Sequence, residues 1–315
     1  MFFRAHAFYS IAELFAPVYN KLTADGELGI PFRLKADMNE KSERSTLEQT
    51  YQQILSDLKD AALLLPQTDS YKTRPVKAAA LGLLARVYLS MSDYENALKV
   101  ADVALKLNTT LLDYNTLDLI GYNPFLPFNE EMVFYAQLSY NEALYSGYFN
   151  VDSALIDLYQ PDDLRLKAFF LKRSNGTYSY MGSYSPQYLF GGIANDELLL
   201  IRAECYARKE EVNLAMDDLN YLLKNRIERQ SFVPLSAQSK EEALAAVLKE
   251  RRKELVYRGL RWTDLRRLNL EPDKAVTLRR KVAGVSYELP PNDKRYVYPI
   301  PEDVLKSSGM SQNER

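Results

Sequence analysis

Residues 250–267 read ERRKELVYRGLRWTDLRR, which combines a charged helical pattern, a glycine break and the sole tryptophan of the chain. Glycine adopts the left-handed backbone conformation that ends helices without steric cost. Gly259 therefore predicts the end of one helix. Trp262, Leu265 and Leu268 have the spacing of a second, short helix after it. Trp262 is expected to pack in the core at this turn, so its fluorescence should not respond to a ligand.

Charged side chains in the same stretch lie at helical spacing. Glu250 and Glu254 share one helical face. Arg258 and Arg261 follow within reach, which predicts ion pairs that tie this helix to the helical repeat before it. The acidic and basic residues for which we expect this structural role include Glu250, Arg251, Glu254 and Asp264.

The composition is that of an ordinary globular protein with a large core. The 315 residues are 47% apolar and 26% charged, with a net charge of -2 at pH 7, which argues against nucleic acid as a partner. The single cysteine, Cys205, rules out an intrachain disulfide, and the single histidine, His6, removes the commonest zinc and Ser-His arrangements. Nucleophile and base pairs, phosphate-binding loops and metal-ligand spacings are also missing from the sequence. The sequence therefore predicts no enzyme, no cofactor and no metal.

Two stretches share the pattern of tetratricopeptide repeats, in which small residues let two antiparallel helices approach closely. The matching positions are Ala85, Tyr88, Ala97, Ala101 and Ala104 in the first stretch, and Ala203, Tyr206, Ala215, Leu219 and Leu222 in the second. The spacing between Tyr88 and Tyr206 is not a multiple of the roughly 34-residue repeat. A different kind of segment must therefore separate the two helical hairpins.

Periodic apolar residues predict further helices over residues 4–15, 45–65, 75–90 and 239–255. Ser45 with Glu48, and Ser239 with Glu242, have the spacing of capping boxes at two of the helix starts.

Three other regions are predicted to be non-helical or nearly so. Residues 22–44 lack apolar periodicity and predict a loop, and a second loop is predicted around Gly284. Residues 295–298 predict a short extended segment, after which Pro301 opens a last helical turn over residues 302–306.

The segment between the two repeats differs in composition. Residues 122–190 hold ten of the 23 tyrosines and seven of the 13 phenylalanines. They lack a periodic face that would bury all these rings, and turn residues separate short stretches such as 132–138 and 177–180. This insert is predicted to be irregular, with a few short strands and helices.

The predicted fold is mainly α, with tetratricopeptide-like helical hairpins in a right-handed superhelical scaffold, an irregular Tyr-rich insert and few short strands. The predicted segments are N-terminal helices over 1–110, the insert over 111–195, and helices with a C-terminal region over 196–315. We expect them to form one compact unit.

Several motifs together resemble the SusD/RagB family of surface nutrient-binding lipoproteins. ERRKEL at 250–255 and GLRWTDLRR at 259–267 are similar to the C-terminal region of that family. So are YPIP at 298–301, with Pro299 and Pro301, and the following Gln312-Asn313. The helices ELLLIRAECYAR, at 197–208, and FRAHAFYSIAELFAPVYN, at 3–20, also resemble family helices. The resemblance thus extends over nearly the whole chain.

The resemblance implies a helical scaffold with a ligand-binding face, a lipid anchor in the outer membrane, and a location at the cell surface. It also implies a SusC-like TonB-dependent outer-membrane transporter as partner. Family members begin with a signal peptide, a lipid-modified cysteine and a further stretch that this chain does not show, so we interpret it as N-terminally truncated. The Asn-Pro of the family near its last motif is replaced here by residues 307–309.

Aromatic rings and carboxamides of the insert are the candidate ligand-binding groups. The C-H face of a sugar, or a peptide side chain, can lie flat against such a ring. This prediction rests on composition, because the family motifs do not include these positions. The candidates are Tyr122, Asn141, Tyr145, Tyr148, Asn175, Tyr178, Tyr180 and Tyr184.

These observations predict a protein that binds glycan, oligosaccharide or peptide nutrients for a transporter without catalysis. A tetratricopeptide adaptor that binds a peptide tail is the alternative, although the insert argues against the three contiguous repeats that it would need. A glycoside hydrolase would require two carboxylates about 5 to 9.5 Å apart in a cleft.

Overall fold

The computed structural model describes residues 1–37, 39–121, 123–139, 149–185 and 188–315. These residues are mainly helical, which confirms the predicted fold class, and the strands among them are short. The helices are α1 (Phe2–Phe15), α2 (Leu47–Leu64), α3 (Lys77–Ser90), α4 (Tyr94–Leu107), α5 (Ser153–Ile156), α6 (Leu164–Phe169), α7 (Asn195–Arg208), α8 (Val212–Lys224), α9 (Lys240–Glu254), α10 (Arg261–Leu268) and α11 (Glu302–Ser308). The strands are β1 (Leu28–Pro31), β2 (Arg44–Thr46), β3 (Met132–Phe134), β4 (Phe170–Lys172), β5 (Tyr178–Tyr180), β6 (Ile193–Ala194), β7 (Leu278–Val282) and β8 (Val285–Leu289).

The strands pair in twos, and each pair is antiparallel. β1 pairs with β2, β3 with β6, β4 with β5, and β7 with β8. Among the described helices, none combines the length and the apolar character that crossing a membrane requires.

Contacts within the described chain divide it into two compact units. Unit 1 comprises residues 1–64, 87–93 and 262–315, and unit 2 comprises residues 65–86 and 94–261. The sequence predicts three consecutive segments instead, with boundaries near 110 and 195. The grouping differs because the C-terminal residues pack against α1, at the other end of the sequence.

In unit 1, the C-terminal tail is fixed to the end of α1. The N–H of Tyr298 donates to the carbonyl of Leu14 at 2.8 Å, and Asn313 Nδ2 donates to the carbonyl of Phe15 at 2.9 Å. Trp262 is half-buried, and its Nε1 donates to the carbonyl of Tyr296 at 3.2 Å. The YPIP and Gln-Asn motifs therefore close unit 1 by joining the two ends of the chain.

Two segments near the C-terminus differ from the sequence-based prediction. β7 and β8 form a hairpin where a loop is predicted, and its two turn residues, Ala283 and Gly284, have φ of 48° and 84°. Positive φ at both central residues matches the twist of the flanking strands. The sequence predicts an extended segment over residues 295–298, and this prediction was wrong. The structure has a 3-10 turn over Lys294–Tyr296. Asp293 caps this turn by accepting the N–H of Arg295.

Capping residues start two of the long helices. At the start of α2, a capping box forms one residue later than the predicted pair of Ser45 and Glu48. Thr46 Oγ1 accepts the N–H of Gln49 at 3.1 Å, and Gln49 Oε1 accepts the N–H of Thr46 at 3.0 Å. Ser45 instead lies within β2. At α9, Ser239 Oγ accepts the N–H of Glu242 at 3.2 Å, so the predicted serine cap is confirmed. The Glu242 carboxylate accepts the N–H of Gln238 at 2.7 Å, one residue before the position that the predicted box requires.

Helix α7 lies at the centre of unit 2, where it packs against α4, α8 and α9. Small side chains at the contacts let the helices approach closely, and Ala101, Ala203 and Ala215 are fully buried. This agrees with the repeat pattern of the sequence. Of the two repeat tyrosines, Tyr88 is buried and Tyr206 is half-buried.

Gly259 has a φ of 77°, the left-handed conformation that the sequence predicts. Helix α9 ends earlier, at Glu254, and the intervening Tyr257 is also left-handed, with a φ of 57°. A Cβ at position 259 would lie 3.3 Å from a methyl group of Leu138. Glycine is therefore required at position 259 by the left-handed backbone conformation as well as by the limited space around it.

The substitution Gly259→Ala is expected to lower the free energy of unfolding by about 1–2 kcal/mol, because other L-residues are strained in this conformation. A urea titration of the purified variant measures this loss. Gly121→Ala is the control, because Gly121 is not left-handed and a Cβ there meets nothing within 4 Å. Equal losses in the two variants would contradict the conformational role of Gly259.

Candidate functional site

Tyr178 and Tyr180 lie on the same side of strand β5, because successive strand residues point to opposite faces. In the β4–β5 hairpin, Tyr180 pairs with Phe170 and Tyr178 pairs with Lys172. Both tyrosines are half-buried and pack against the hydrophobic core of unit 2. Each ring therefore has one part held by the core and another part open to solvent.

Tyr257, in the loop after α9, completes this group. Its ring stacks on the ring of Tyr180 with 4.3 Å between centroids and 20° between planes. The Tyr180 hydroxyl donates to the carbonyl of Gly182 at 2.7 Å, which fixes the orientation of the ring. Burial raises the pKa of the Tyr257 hydroxyl, so this group stays neutral. We refer to Tyr178, Tyr180 and Tyr257 as the aromatic surface.

Polar groups occupy the turn of the same hairpin. Asn175 is exposed, and its Oδ1 accepts hydrogen bonds from the N–H and the hydroxyl of Thr177 at 3.0 and 2.8 Å. Arg173 donates to Asn150 Oδ1 at 2.7 Å and to the carbonyl of Phe149 at 2.9 Å. These bonds order the turn, so a carboxamide and a guanidinium are carried by the hairpin that carries Tyr178.

Tyr184 is not part of the aromatic surface. Its side chain is 2% exposed, and its hydroxyl donates to Glu131 Oε1 at 2.8 Å and lies 3.1 Å from the hydroxyl of Tyr114. The guanidinium carbon of Arg258 lies 4.4 Å from the centre of its ring. Tyr184 is thus a core residue, and its prediction as a ligand-binding residue is corrected. Composition alone did not reveal which rings of the irregular insert face inward.

Four of the predicted ligand-binding residues lie outside the described residues: Tyr122, Asn141, Tyr145 and Tyr148. Of the others, the structure places Asn175, Tyr178 and Tyr180 on one hairpin. It adds Tyr257, which the sequence reasoning assigned to the structural motif at 250–267. The available signal was a tyrosine two residues before the glycine break.

Unit 2 also contains a network of buried charges, which we call the ion network. Its members are Glu131, Asp163, Arg165, Asp196, Arg226, Glu250, Lys253, Glu254 and Arg258. They come from the starts of α6 and α7, the end of α8, helix α9, and the loops before β3 and after α9. Arg165 and Arg226 are fully buried and connect its acidic members. The network therefore links the insert to the helices of unit 2.

The geometry of the ion network fixes the protonation of several members. Burial lowers the pKa of Arg165, but nearby Asp163, Glu250 and Glu254 raise it well above its ordinary value. Burial raises the pKa of Asp163, but Arg165 and Lys253 bring it below 3.8. Burial also raises the pKa of the Glu254 carboxyl, but the guanidiniums of Arg226 and Arg165 bring it below its ordinary 4.5. These groups are therefore charged at neutral pH.

Asp196 behaves differently. Burial raises its pKa, Arg258 lowers it, and the nearby carboxylates of Glu131 and Glu254 raise it again, so that it lies well above 3.8. Within the ion network, the pKa of Asp196 is therefore raised, whereas the pKa values of Asp163 and Glu254 are lowered.

Three carboxylates of the network are close enough to resemble a metal site. Oxygen atoms of Glu131, Asp196 and Glu254 all lie within 4.8 Å of one another. However, Arg226 donates to both oxygens of Glu131 and to Glu254, and Arg258 donates to both oxygens of Asp196. Because guanidinium groups already neutralise these oxygens, the arrangement favours an internal ion network over a metal centre.

Two family models match the chain at its two ends. A model described as starch-binding and associating with the outer membrane matches residues 1–89. A model of the SusD family matches residues 196–315. The chain belongs to the SusD/RagB family. The resemblance stated from the motifs is therefore confirmed.

Solved SusD structures share the fold over nearly the whole chain. A SusD superfamily protein from Bacteroides thetaiotaomicron VPI-5482 is 24% identical, with a TM-score of 0.77, over 99% of this chain and 76% of that one. A SusD superfamily protein from Bacteroides vulgatus ATCC 8482 is 25% identical, with a TM-score of 0.73, over 98% and 74%. A SusD-like carbohydrate binding protein from Bacteroides vulgatus ATCC 8482 is 19% identical, with a TM-score of 0.74, over 98% and 74%. Comparison with the curated proteins gave no match.

The SusD/RagB motif at 250–267 supplies structural contacts in both units. Glu250 and Glu254 share one face of α9, as predicted, and their guanidinium partners are Arg165 and Arg226. Arg258 pairs with Asp196 at the start of α7. Of the remaining motif positions, Arg251 is buried in α9 and Asp264 pairs with Arg267 at 2.9 Å. Pro301 directly precedes α11 and lies two residues after Pro299.

Proposed function

We propose that this SusD/RagB protein captures glycan nutrients on its aromatic surface and passes them, unmodified, to a TonB-dependent outer-membrane transporter. The observation that carries the proposal is the aromatic surface: Tyr178 and Tyr180 lie on a hairpin that packs against the core, and Tyr257 from the loop after α9 stacks on Tyr180. Family membership supports a carbohydrate as the ligand, since one family model is described as starch-binding.

The physical basis is the shape and polarity of the rings. A phenol ring offers a flat apolar face to the C-H groups of a sugar at little cost in side-chain entropy. The rings of Tyr178 and Tyr180 are half-buried, so their orientation is set before a ligand arrives. Asn175 and Arg173, in the turn of the hairpin, supply polar groups that can bond sugar hydroxyls. A preformed surface of this kind loses less freedom on binding.

The proposal includes no catalysis by the ion network, because of where its carboxylates lie. Hydrolysis of a glycosidic bond needs two carboxyl groups about 5 to 9.5 Å apart, on either side of the substrate. The carboxylates of the ion network are buried and already accept hydrogen bonds from guanidinium groups. They stabilise the frame and are not available to a substrate.

The proposed location follows from the family. One matching model is described as associating with the outer membrane. We extend this to a lipid-anchored protein at the cell surface, with a SusC-like transporter as its partner. Co-purification of the protein with a SusC-like transporter from the same cells tests the partner directly.

Binding is tested with a polysaccharide panel, followed by calorimetry with an oligosaccharide of the class that binds. The substitution Tyr178→Ala is expected to weaken binding roughly tenfold, because the sugar loses its apolar face. Tyr287→Ala is the matched control, since Tyr287 is an exposed tyrosine of the β7–β8 hairpin in unit 1. The Tyr287→Ala variant should bind the oligosaccharide with the same affinity as the unsubstituted protein.

A casein hydrolysate in the same assay separates the ligand classes. Binding of peptides, with no response to any polysaccharide, would contradict a glycan ligand. Release of new reducing ends from a bound polysaccharide would contradict the absence of catalysis.

A further inference from the structure

The β7–β8 hairpin of unit 1 is a surface that glycan capture on the aromatic surface does not use. Its two strands pair with each other, and eight of their ten residues are exposed. A two-stranded hairpin with so little buried surface gains little stability in water. The hairpin is therefore a surface that another body can cover.

The base of the hairpin is fixed to the residue that follows helix α10. On one side, the N–H of Val276 donates to Asn269 Oδ1 at 3.0 Å. On the other side, Asn292 Nδ2 donates to the carbonyl of Asn269 at 2.9 Å, and Arg295 Nη2 donates to the carbonyl of Glu288 at 3.1 Å. These bonds hold both ends of the hairpin in place, while the turn at its far end stays exposed.

The turn itself is apolar. Val282, Ala283, Gly284 and Val285 are all exposed, the two valines by 48% and 54%. Two-residue hairpin turns usually contain Asn-Gly or Asp-Gly, whose polar side chains tolerate positive φ. Ala283 adopts a φ of 48° without a polar side chain, in a conformation that is strained for alanine. Such a turn is poorly suited to water and well suited to an apolar environment.

Basic residues come directly before the apolar turn. Arg279 pairs with Glu288 across the hairpin at 2.8 Å. Arg280 and Lys281 are exposed and lie opposite an uncharged tyrosine and an uncharged serine. Neither has an ion-pair partner within the part of the chain that the structure describes. Because successive strand residues point to opposite faces, these two cations flank the turn on both sides.

An apolar end followed by cations is the pattern of elements that lie at an anionic lipid surface. Apolar side chains enter the boundary between headgroups and acyl chains, and lysine and arginine bind the lipid phosphates. A protein surface would cover one face of the hairpin, whereas a lipid boundary surrounds the turn and engages the cations of both faces. The unpaired strand edges cannot enter hydrocarbon, so only the turn inserts. One matching family model is described as associating with the outer membrane.

We propose that the β7–β8 hairpin docks on an anionic lipid bilayer. The turn over residues 282–285 enters the acyl boundary, and Arg280 and Lys281 bind lipid phosphates. This inference rests on the outer-membrane location of the proposed function and not on the class of nutrient. A single lipid chain gives only marginal membrane binding, and stable anchoring takes a second contact. The hairpin supplies that second contact and so orients unit 1 at the membrane.

The first experiment is sedimentation of the full chain with vesicles at millimolar lipid. Vesicles of phosphatidylcholine with about 30% phosphatidylglycerol are expected to bind the protein, and vesicles of phosphatidylcholine alone are expected to bind it far more weakly. Binding to the anionic vesicles should fall as salt is added, because salt screens the attraction between exposed charges.

The double substitution Arg280→Gln with Lys281→Gln tests the cations. Each basic residue close to an anionic surface strengthens binding roughly fivefold, so their loss should weaken vesicle binding about 25-fold. Lys21→Gln with Lys59→Gln is the matched control, because both are exposed lysines of unit 1 and the change in net charge is the same. This control should bind the vesicles like the unsubstituted protein.

Ala283→Asn separates membrane insertion from folding. Asparagine adopts positive φ more readily than alanine, so this variant should melt at an equal or higher temperature. Its carboxamide is costly to bury in the acyl boundary, so binding to the anionic vesicles should weaken several-fold. A purely structural role of the turn would not weaken binding while the fold becomes more stable.

Val285→Trp reports where the turn lies. With anionic vesicles, its emission should shift to shorter wavelengths and be quenched by lipids with brominated acyl chains. Val233→Trp, at a 75% exposed valine of unit 2, is the matched control and should show neither effect. Trp262 is present in both variants, so the difference between them comes from the introduced ring.

No binding to the anionic vesicles would overturn this inference and leave the proposed function standing, because polysaccharide affinity is measured without lipid. So would equal vesicle binding by the unsubstituted protein and the Arg280→Gln, Lys281→Gln variant. Loss of transporter co-purification in that variant, with no vesicle binding by either protein, would assign the hairpin to a protein partner instead. Vesicle binding without any polysaccharide binding would support the hairpin and contradict the proposed function.

Discussion

Replacing Arg226 with methionine is expected to lower the free energy of unfolding by about 3–5 kcal/mol. Arg226 is fully buried; it donates to Glu254 at 2.7 Å and to both oxygens of Glu131 at 2.8 and 2.9 Å. Methionine fills similar space but leaves these two carboxylates without that cation. Unfolding by urea at neutral pH measures the loss.

Two further variants test whether the loss of stability in Arg226→Met comes from the unpaired buried charges and not from the change in side-chain shape. Arg279→Met removes an arginine whose side chain is 72% exposed and pairs with Glu288, and we expect it to cost about 0–1 kcal/mol. Adding Glu131→Gln to Arg226→Met removes one of the stranded charges, so it should restore part of the stability. If Arg226→Met and Arg279→Met had equal effects, the ion network would not be what holds unit 2 together.

Acidification is expected to unfold the protein through the same network. The folded-state pKa values of Asp163 and Glu254 lie below their ordinary 3.8 and 4.5. Because the unfolded chain takes up these protons first, the two carboxylates stabilise the fold fully above pH 4.5. This contribution is lost as the pH falls through the depressed folded values. The urea midpoint should therefore fall steeply below about pH 4.

Asp196 contributes with the opposite sign. Its folded-state pKa is raised, so the folded protein takes up this proton before the unfolded chain does. Stability should therefore rise slightly as the pH falls from neutrality toward mildly acidic values, before the loss begins. A Glu254→Gln variant should be less stable at neutral pH and should show a shallower decline in acid. A urea midpoint of the unsubstituted protein that stayed constant down to pH 3 would contradict both the slight rise expected from Asp196 and the loss expected from Asp163 and Glu254.

The local part of the fold could be predicted from the sequence. The left-handed Gly259, the cap at Ser239 and the small residues of the repeats depend on neighbouring residues, so their signals lie within short stretches. The β7–β8 hairpin was missed because its alternation of apolar and charged residues is short, and Gly284 alone predicts only a turn. The grouping of the tail with α1 could not be predicted, since the contacting residues lie at opposite ends of the chain.

The candidate sites were predictable to a lesser degree. Composition indicated Tyr178 and Tyr180, but it indicated Tyr184 equally, and only the packing separates the exposed rings from the core ring. Tyr257 stacks on Tyr180 across many residues of sequence, so spacing could not reveal the pair.

The most direct test is a crystal structure of the complex with the oligosaccharide that binds most tightly in the calorimetric series. We expect a sugar ring lying against the aromatic surface of unit 2, with its glycosidic bonds intact. Density for the sugar only on other parts of the molecule, or for cleaved products at the aromatic surface, would contradict a non-catalytic glycan-binding site built on these tyrosines.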